Sequence, residues 1–142
     1  MRIMAIDYGD ARTGVAVSDL SASVVGDTWV IQSRNDNHTS RSIIDEAIKR
    51  DVKCIVVGFP KNMDGTVGAR AEKSGQFAEL LRSLLSQQDT QVVLWDERLT
   101  TKSANRILTE TGTFGKKRKN TVDAVAAALI LEGYMLAHSH KL

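Results

Sequence analysis

The chain has 142 residues, 42% of them apolar and 25% charged, the balance expected of a soluble globule with one core. No apolar run has the length of a membrane-spanning helix, and the single cysteine, Cys54, excludes an intrachain disulfide. The net charge of +2 permits a polyanionic partner without demanding one.

In chain order, Ile3-Met4-Ala5-Ile6 reads as a strand that stops at Asp7; it meets that charge too early for a signal peptide, so the protein is expected in the cytoplasm. A turn over Tyr8–Arg12 leads to a second strand, Thr13–Ser18, and a third, Val24–Ile31, rich in β-branched and aromatic residues. Such short connections suit an antiparallel meander. The period then changes. Ile43, Ile44, Ala47 and Ile48 mark a helix entered through the polar stretch Asn35–Ser40. Ile55-Val56-Val57 lacks alternation, as a buried parallel strand does, and Gly58-Phe59-Pro60 ends it. A long helix carries Phe77, Leu80, Leu81, Leu84 and Leu85. Val92–Trp95 is another buried strand, with Trp95, like Trp29, expected in the core. One helix with Ala104, Ile107 and Leu108 follows, and then a last one with Val122, Val125, Ala126, Leu129 and Ile130. The order βββαβαβαα predicts an α/β domain over residues 1–142, in which a mixed five-stranded sheet is flanked by helices.

Ligands of open sheets gather at the carboxyl ends of parallel strands. Asp7 ends the first strand, Asp96 and Glu97 end the last, and Asp123 is expected to open the last helix. If the first and last strands lie close together near the sheet centre, three carboxylates converge. Two unit charges ~4 Å apart repel by roughly 4 kcal/mol at an effective dielectric of about 20, so such a trio must hold protons or cations. Mg²⁺ suits carboxylates that share it with phosphate, and two such ions can activate water against a phosphodiester. Taken singly, the acids favour bland roles, Asp7 in a turn, Glu97 in a surface pair with Arg98 and Asp123 at a helix start; it is the trio at element ends that points to a site. With one cysteine and His38, His138 and His140, no usual zinc spacing exists. Cys54, within Cys54-Ile55-Val56-Val57, reads as a buried, inert thiol.

Cations lie near these acids in the chain. Arg12 is placed to meet a phosphate or a nearby acid. In the stretch from Gly58 to Arg70, Asp64-Gly65-Thr66 is a turn, and Lys61 and Arg70 flank a helix start that could hold an anion. Lys116, Lys117, Arg118 and Lys119 form a basic run read as a loop, with simple solvation as its alternative. The seven aromatics are scattered and offer no stacking platform for bases, so recognition through backbone and shape is expected.

The segments DYGDARTGVAVSD (Asp7–Asp19), GFPKNMDGTVGAR (Gly58–Arg70) with Phe77 beyond it, WDERLTT (Trp95–Thr101) and KKRKNTVDAVAAALILEGYM (Lys116–Met135) resemble the YqgF (RuvX) family. The resemblance spans nearly the whole chain. It implies an RNase H-like fold akin to the Holliday-junction resolvase RuvC. It also implies a nuclease using Mg²⁺, with Mn²⁺ as alternative, that matures the 5′ end of pre-16S rRNA. Asp7, Glu97 and Asp123 match the family's acids, as catalytic residues and metal ligands. Arg12, Lys61, Arg70, Arg98 and Lys116–Lys119 would contact nucleic acid. The fourth acid of many RuvC-type sites is missing, because Ala126 and Ala127 stand one turn beyond Asp123.

Three other readings stay open. A resolvase of four-way DNA junctions would act as a homodimer, whereas rRNA trimming suits a monomer. The first motif also resembles the phosphate motif of the actin and sugar-kinase superfamily, whose members place nucleotide between two such domains. A non-catalytic RNA-binding or ribosome-assembly factor would keep the acids without cleaving. No membrane partner is expected.

Overall fold

The computed structural model describes residues 1–96 and 115–138; of 115–121 it describes the backbone. Five strands form one sheet: β1 (Arg2–Asp7), β2 (Arg12–Ser18), β3 (Val25–Gln32), β4 (Val52–Phe59) and β5 (Gln91–Asp96). The spatial order is β3-β2-β1-β4-β5. The first three strands are an antiparallel meander, and β1, β4 and β5 run parallel. The mixed sheet is therefore the expected one. The expected helix around Ala104–Leu108 lies outside the described residues.

Side-chain alternation splits β1 between two cores. Met4, Ile6 and Tyr8 join Phe77, Leu81 and Ile43 on one face, covered by α1 (Asp36–Lys49) and α2 (Ala69–Leu84). Ile3 and Ala5 join Val56, Ala127, Ile130 and Leu131 on the other, covered by the last described helix, α3 (Gly115–Ala137). Burial on both faces explains the continuous apolar runs of β1 and β4.

Local chemistry sets the helix ends. The Asn35 side chain caps α1 by accepting from the His38 N–H at 3.1 Å. Asp51, just past the C-cap, takes φ 56°, a left-handed position that Asp tolerates better than most residues. The turn before α2 forms as expected: Gly65 has φ 88°, and the Asp64 carboxylate accepts the Thr66 N–H at 3.0 Å.

Three expectations need correction. The helix α3 begins at Gly115, so Lys116–Lys119 lie on a helix rather than a loop, and Asp123 sits in its third turn rather than at its start. Lys and Arg are good helix formers and no proline interrupts the run, so the helix extends through it although four cations at a helix N-terminus are unfavourable for the dipole. The strands β1 and β5 are not neighbours, because β4 lies between them, which separates their axes by roughly 9–10 Å. The tryptophans are half-buried at the edges of the cores. Arg50 stacks over the Trp29 ring at 4.7 Å, and Trp95 meets Tyr134 edge to face.

Candidate active site

Two of the three expected acids meet around one glycine. Asp7 ends β1 and is the cross-strand partner of Gly14. By alternation with Ile3 and Ala5, its side chain lies on the sheet face that carries α3. Above Gly14 runs the α3 backbone at Asp123: a Cβ on Gly14 would stand 2.0 Å from the Asp123 carbonyl oxygen. Only a residue without a side chain lets the helix settle that close to the strand. The turn between β1 and β2 has a similar requirement, since a Cβ on Gly9 would stand 2.2 Å from the Arg12 carbonyl oxygen. The two glycines of DYGDARTG thus have separate tasks: Gly9 tightens the turn, and Gly14 seats the helix that carries Asp123.

Arg12 opens β2, two residues before Gly14, and so shares its face. Its Nε–H donates to Asp123 Oδ2 at 3.1 Å. Burial pushes the Asp123 carboxyl above the usual carboxylate range, against the opposing pull of the Arg12 hydrogen bond and charge and the charge of Arg70. Arg70, near the start of α2, thereby belongs to the same electrostatic neighbourhood. A carboxylate offers about four lone-pair sites, so the Arg12 contact leaves Asp123 with capacity for a cation.

The raised pKa of Asp123 has a consequence for stability. An acid whose folded pKa exceeds its unfolded value favours the native state in its protonated form, and that contribution is lost as pH rises through the folded pKa. Asp123→Asn is therefore expected to keep or raise the Tm at pH 7, with the gap to the parent protein closing on acidification. Thermal unfolding of both proteins across pH checks this. A variant less stable at neutral pH, with a gap that widens as pH rises, would show that the ion pair with Arg12 outweighs the cost of burial.

The donor set fits a hard divalent cation. Asp7 and Asp123 offer oxygen only, and the one cysteine is buried elsewhere, its Sγ–H donating to Tyr134 Oη at 3.7 Å. Burial pushes that thiol up, in keeping with an inert core residue. Among the described residues no three acids, histidines or cysteines gather into a metal cluster. Glu97, the third expected ligand, and Arg98 lie outside the described residues. The rival acid Asp96 ends β5 beside Phe59 of β4. Trp95 packs on the α3 side, so alternation turns Asp96 toward the opposite face.

The remaining expected cations are dispersed. Lys61 sits on the loop after β4, where its backbone N–H donates to the Phe59 carbonyl at 3.0 Å. Arg70 also lines a cavity of about 160 Å³ with Tyr8, Gly9, Asp10, Ala69 and Lys73. The sequence reading did not single out Lys73 or Asp10. The signal for Lys73 was present, since a residue three positions after Arg70 shares its helix face.

Comparison with known proteins bears on this arrangement. The family model described as RuvX, Holliday junction resolvase, matches residues 1–137. A protein of Acetivibrio thermocellus named "Putative pre-16S rRNA nuclease" is 46% identical over 136 residues, covering 95% of each chain. One of Halothermothrix orenii with the same name is also 46% identical, over 95% of this chain and 94% of its own. Among solved structures, Thermus thermophilus RuvC superposes with a TM-score of 0.60 at 13% identity, over 98% of this chain and 97% of that one. RuvC of the same organism in complex with a Holliday junction substrate gives 0.57 at 15% identity, over 95% and 96%. At such identities the likeness concerns the fold, which is RNase H-like. With its motifs matched from the first strand to the last helix, the chain belongs to the RuvX family.

Proposed function

We propose that residues 1–142 act as one divalent-metal-dependent nuclease domain that hydrolyses nucleic-acid phosphodiester bonds, trimming the 5′ end of pre-16S rRNA in the cytoplasm. The observation that carries this reading is that Asp7 pairs with Gly14, over which the α3 backbone runs at Asp123, whose carboxylate is held by Arg12. The names of the near relatives support the substrate. Asp7, Asp123 and Glu97 would hold Mg²⁺, or Mn²⁺ in its place. When bound, such ions lower the pKa of water and neutralise charge building on the phosphate.

The chain's own residues supply positioning and charge. Asp7 is fixed by its ladder partner, and Asp123 is held by helix packing on one side and Arg12 on the other. Arg12 and Arg70 bring positive charge to the place where a phosphate would sit, and Arg is suited to phosphate by its planar fork of donors. Lys61 and Arg98 would extend that contact along the backbone. Cleavage of this type leaves a 5′-phosphate and a 3′-hydroxyl.

The test is incubation with Mg²⁺ and a precursor 16S rRNA end, in parallel with a four-way DNA junction, using Glu97→Gln as a control for contaminating nuclease. The junction is included because the family model carries the resolvase description. Symmetric cutting of a junction needs two sites, so paired nicks made by a stable dimer would favour that substrate. Release of the mature RNA end by a monomer favours the reading above.

Lys116–Lys119 lie in the first turns of α3 and would add to the contact with nucleic acid. Replacing all four with Gln is expected to weaken RNA binding and to flatten its salt dependence, by about 0.7 in the log–log slope for each lost contact to a single strand. Binding measured from low to moderate salt reads this. An unchanged slope would show that these cations are only solvated.

A further inference from the structure

On the sheet face opposite Asp7, at the carboxyl end of β1, two cavities adjoin. The smaller is the one lined by Arg70. The larger, about 420 Å³, shares Tyr8, Asp10 and Lys73 with it and adds Arg34, Asp36 and Phe77. That volume falls in the roughly 300–1,000 Å³ range of small-ligand pockets. Together the cavities form a cleft from Arg70 near the start of α2 to Arg34 ahead of α1.

Its floor is built and its walls are exchangeable. Tyr8 stacks on Phe77 with centroids 4.5 Å apart and donates its hydroxyl to Asp36 Oδ1 at 2.6 Å. Lys73, by contrast, contacts both Asp10 oxygens at 3.2 and 3.3 Å with side chains 55% and 60% exposed. An exposed pair of this kind contributes at most about 1 kcal/mol, so a phosphate can draw the ammonium away. Arg34 is exposed on the same wall. The cleft therefore offers cations for a phosphate, carboxylates that accept from amino groups, and an aromatic base beneath them.

We propose that this cleft is a nucleotide subsite, holding one nucleotide that flanks the scissile bond, with Lys73 and Arg34 on its phosphate and Asp10 and Asp36 accepting from the exocyclic amine of its base. The placement beside the cleavage centre rests on the proposed nuclease function; the binding chemistry does not. Tyr8, Gly9 and Asp10 line the cleft and follow Asp7 directly in the chain, so the cleft opens at the same end of β1 as the cleavage centre.

The experiment is titration of the metal-free protein with AMP, CMP, GMP, UMP and inorganic phosphate, followed by amide chemical shifts. Saturable shifts at Tyr8, Gly9, Asp10 and Lys73 are expected, with UMP, which has no exocyclic amine, the weakest nucleotide and phosphate weaker still. Loss of one charge-assisted contact should weaken binding by about tenfold in Lys73→Ala and in Arg34→Ala, each checked for an unchanged Tm. Unperturbed cleft amides, equal affinity for phosphate and nucleotides, equal affinity for UMP and CMP, or unaltered binding by both variants would each overturn the subsite. Cleavage of the precursor RNA is assayed separately. Nucleotide binding without cleavage keeps the subsite and removes the nuclease reading, and cleavage without nucleotide binding does the reverse.

Discussion

Asp7→Asn is expected to abolish cleavage while leaving the protein folded. The substitution keeps the shape of the side chain and removes its charge. Asp7 sits at the end of the central strand, half-buried, and the apolar residues that hold β1 in place, Ile3 through Ile6, are untouched. The loss should be at least roughly 10²–10³-fold, the scale seen when one charge-stabilising group is removed from an active site. Rate measurements on a precursor RNA end, with thermal unfolding as the control, decide it. A variant that unfolds at the parent temperature and still cleaves at the parent rate would remove Asp7 from the chemistry. A second readout is the affinity for Mg²⁺ by calorimetry, which should fall with the charge whatever the substrate.

Gly14→Ala should damage both the fold and the site through a single atom. The new Cβ would stand 2.0 Å from the Asp123 carbonyl oxygen and 2.6 Å from its carbonyl carbon. Both are backbone atoms, so no change of rotamer relieves the contact. Either β2 or α3 must shift, and overpacking of this kind costs about 1–3 kcal/mol, which corresponds to a Tm drop of roughly 3–10 °C for a chain of this size. The shift also moves Asp123 away from Asp7 and strains the Arg12 contact, so cleavage should fall by more than the unfolded fraction explains. Denaturant unfolding and cleavage rates on the same preparation separate the two effects. A fully stable and fully active Gly14→Ala protein would mean that the helix need not sit so close to the strand.

The two variants differ in what they reveal. Asp7→Asn removes a charge and leaves the geometry; Gly14→Ala leaves every charge and disturbs the geometry. If both lose cleavage but only the second loses stability, the requirement for a pair of acids held at a set separation is supported on independent grounds.

Much of this was legible along the chain. The alternation of Ile3 to Asp7, the unbroken apolar run of β4 and the stripes through Ile43–Ala47 and Phe77–Leu81 are local patterns, governed by the repeat of the strand and the helix. They gave the order of the described elements and the sheet, and they put Asp7 and Asp96 at strand ends. The start of α3 was misplaced for an equally local reason. Asn120 and Asp123 have the spacing of a capping arrangement, whereas the helix starts at Gly115, with the good helix formers Lys116–Lys119 continuing it past that local signal.

The sequence by itself determined the five strands, the existence of the described helices and the family, because those depend on neighbours within a few positions or on matched motifs. Tertiary structure alone decided that Arg12 pairs with an acid 111 residues away, that Gly14 is the seat of α3, that β4 separates β1 from β5, and that Tyr8, Lys73 and Arg34 wall one cleft. Each of these depends on which faces of distant elements are pressed together. Packing sets that arrangement only when the whole core closes, and no window along the chain contains it.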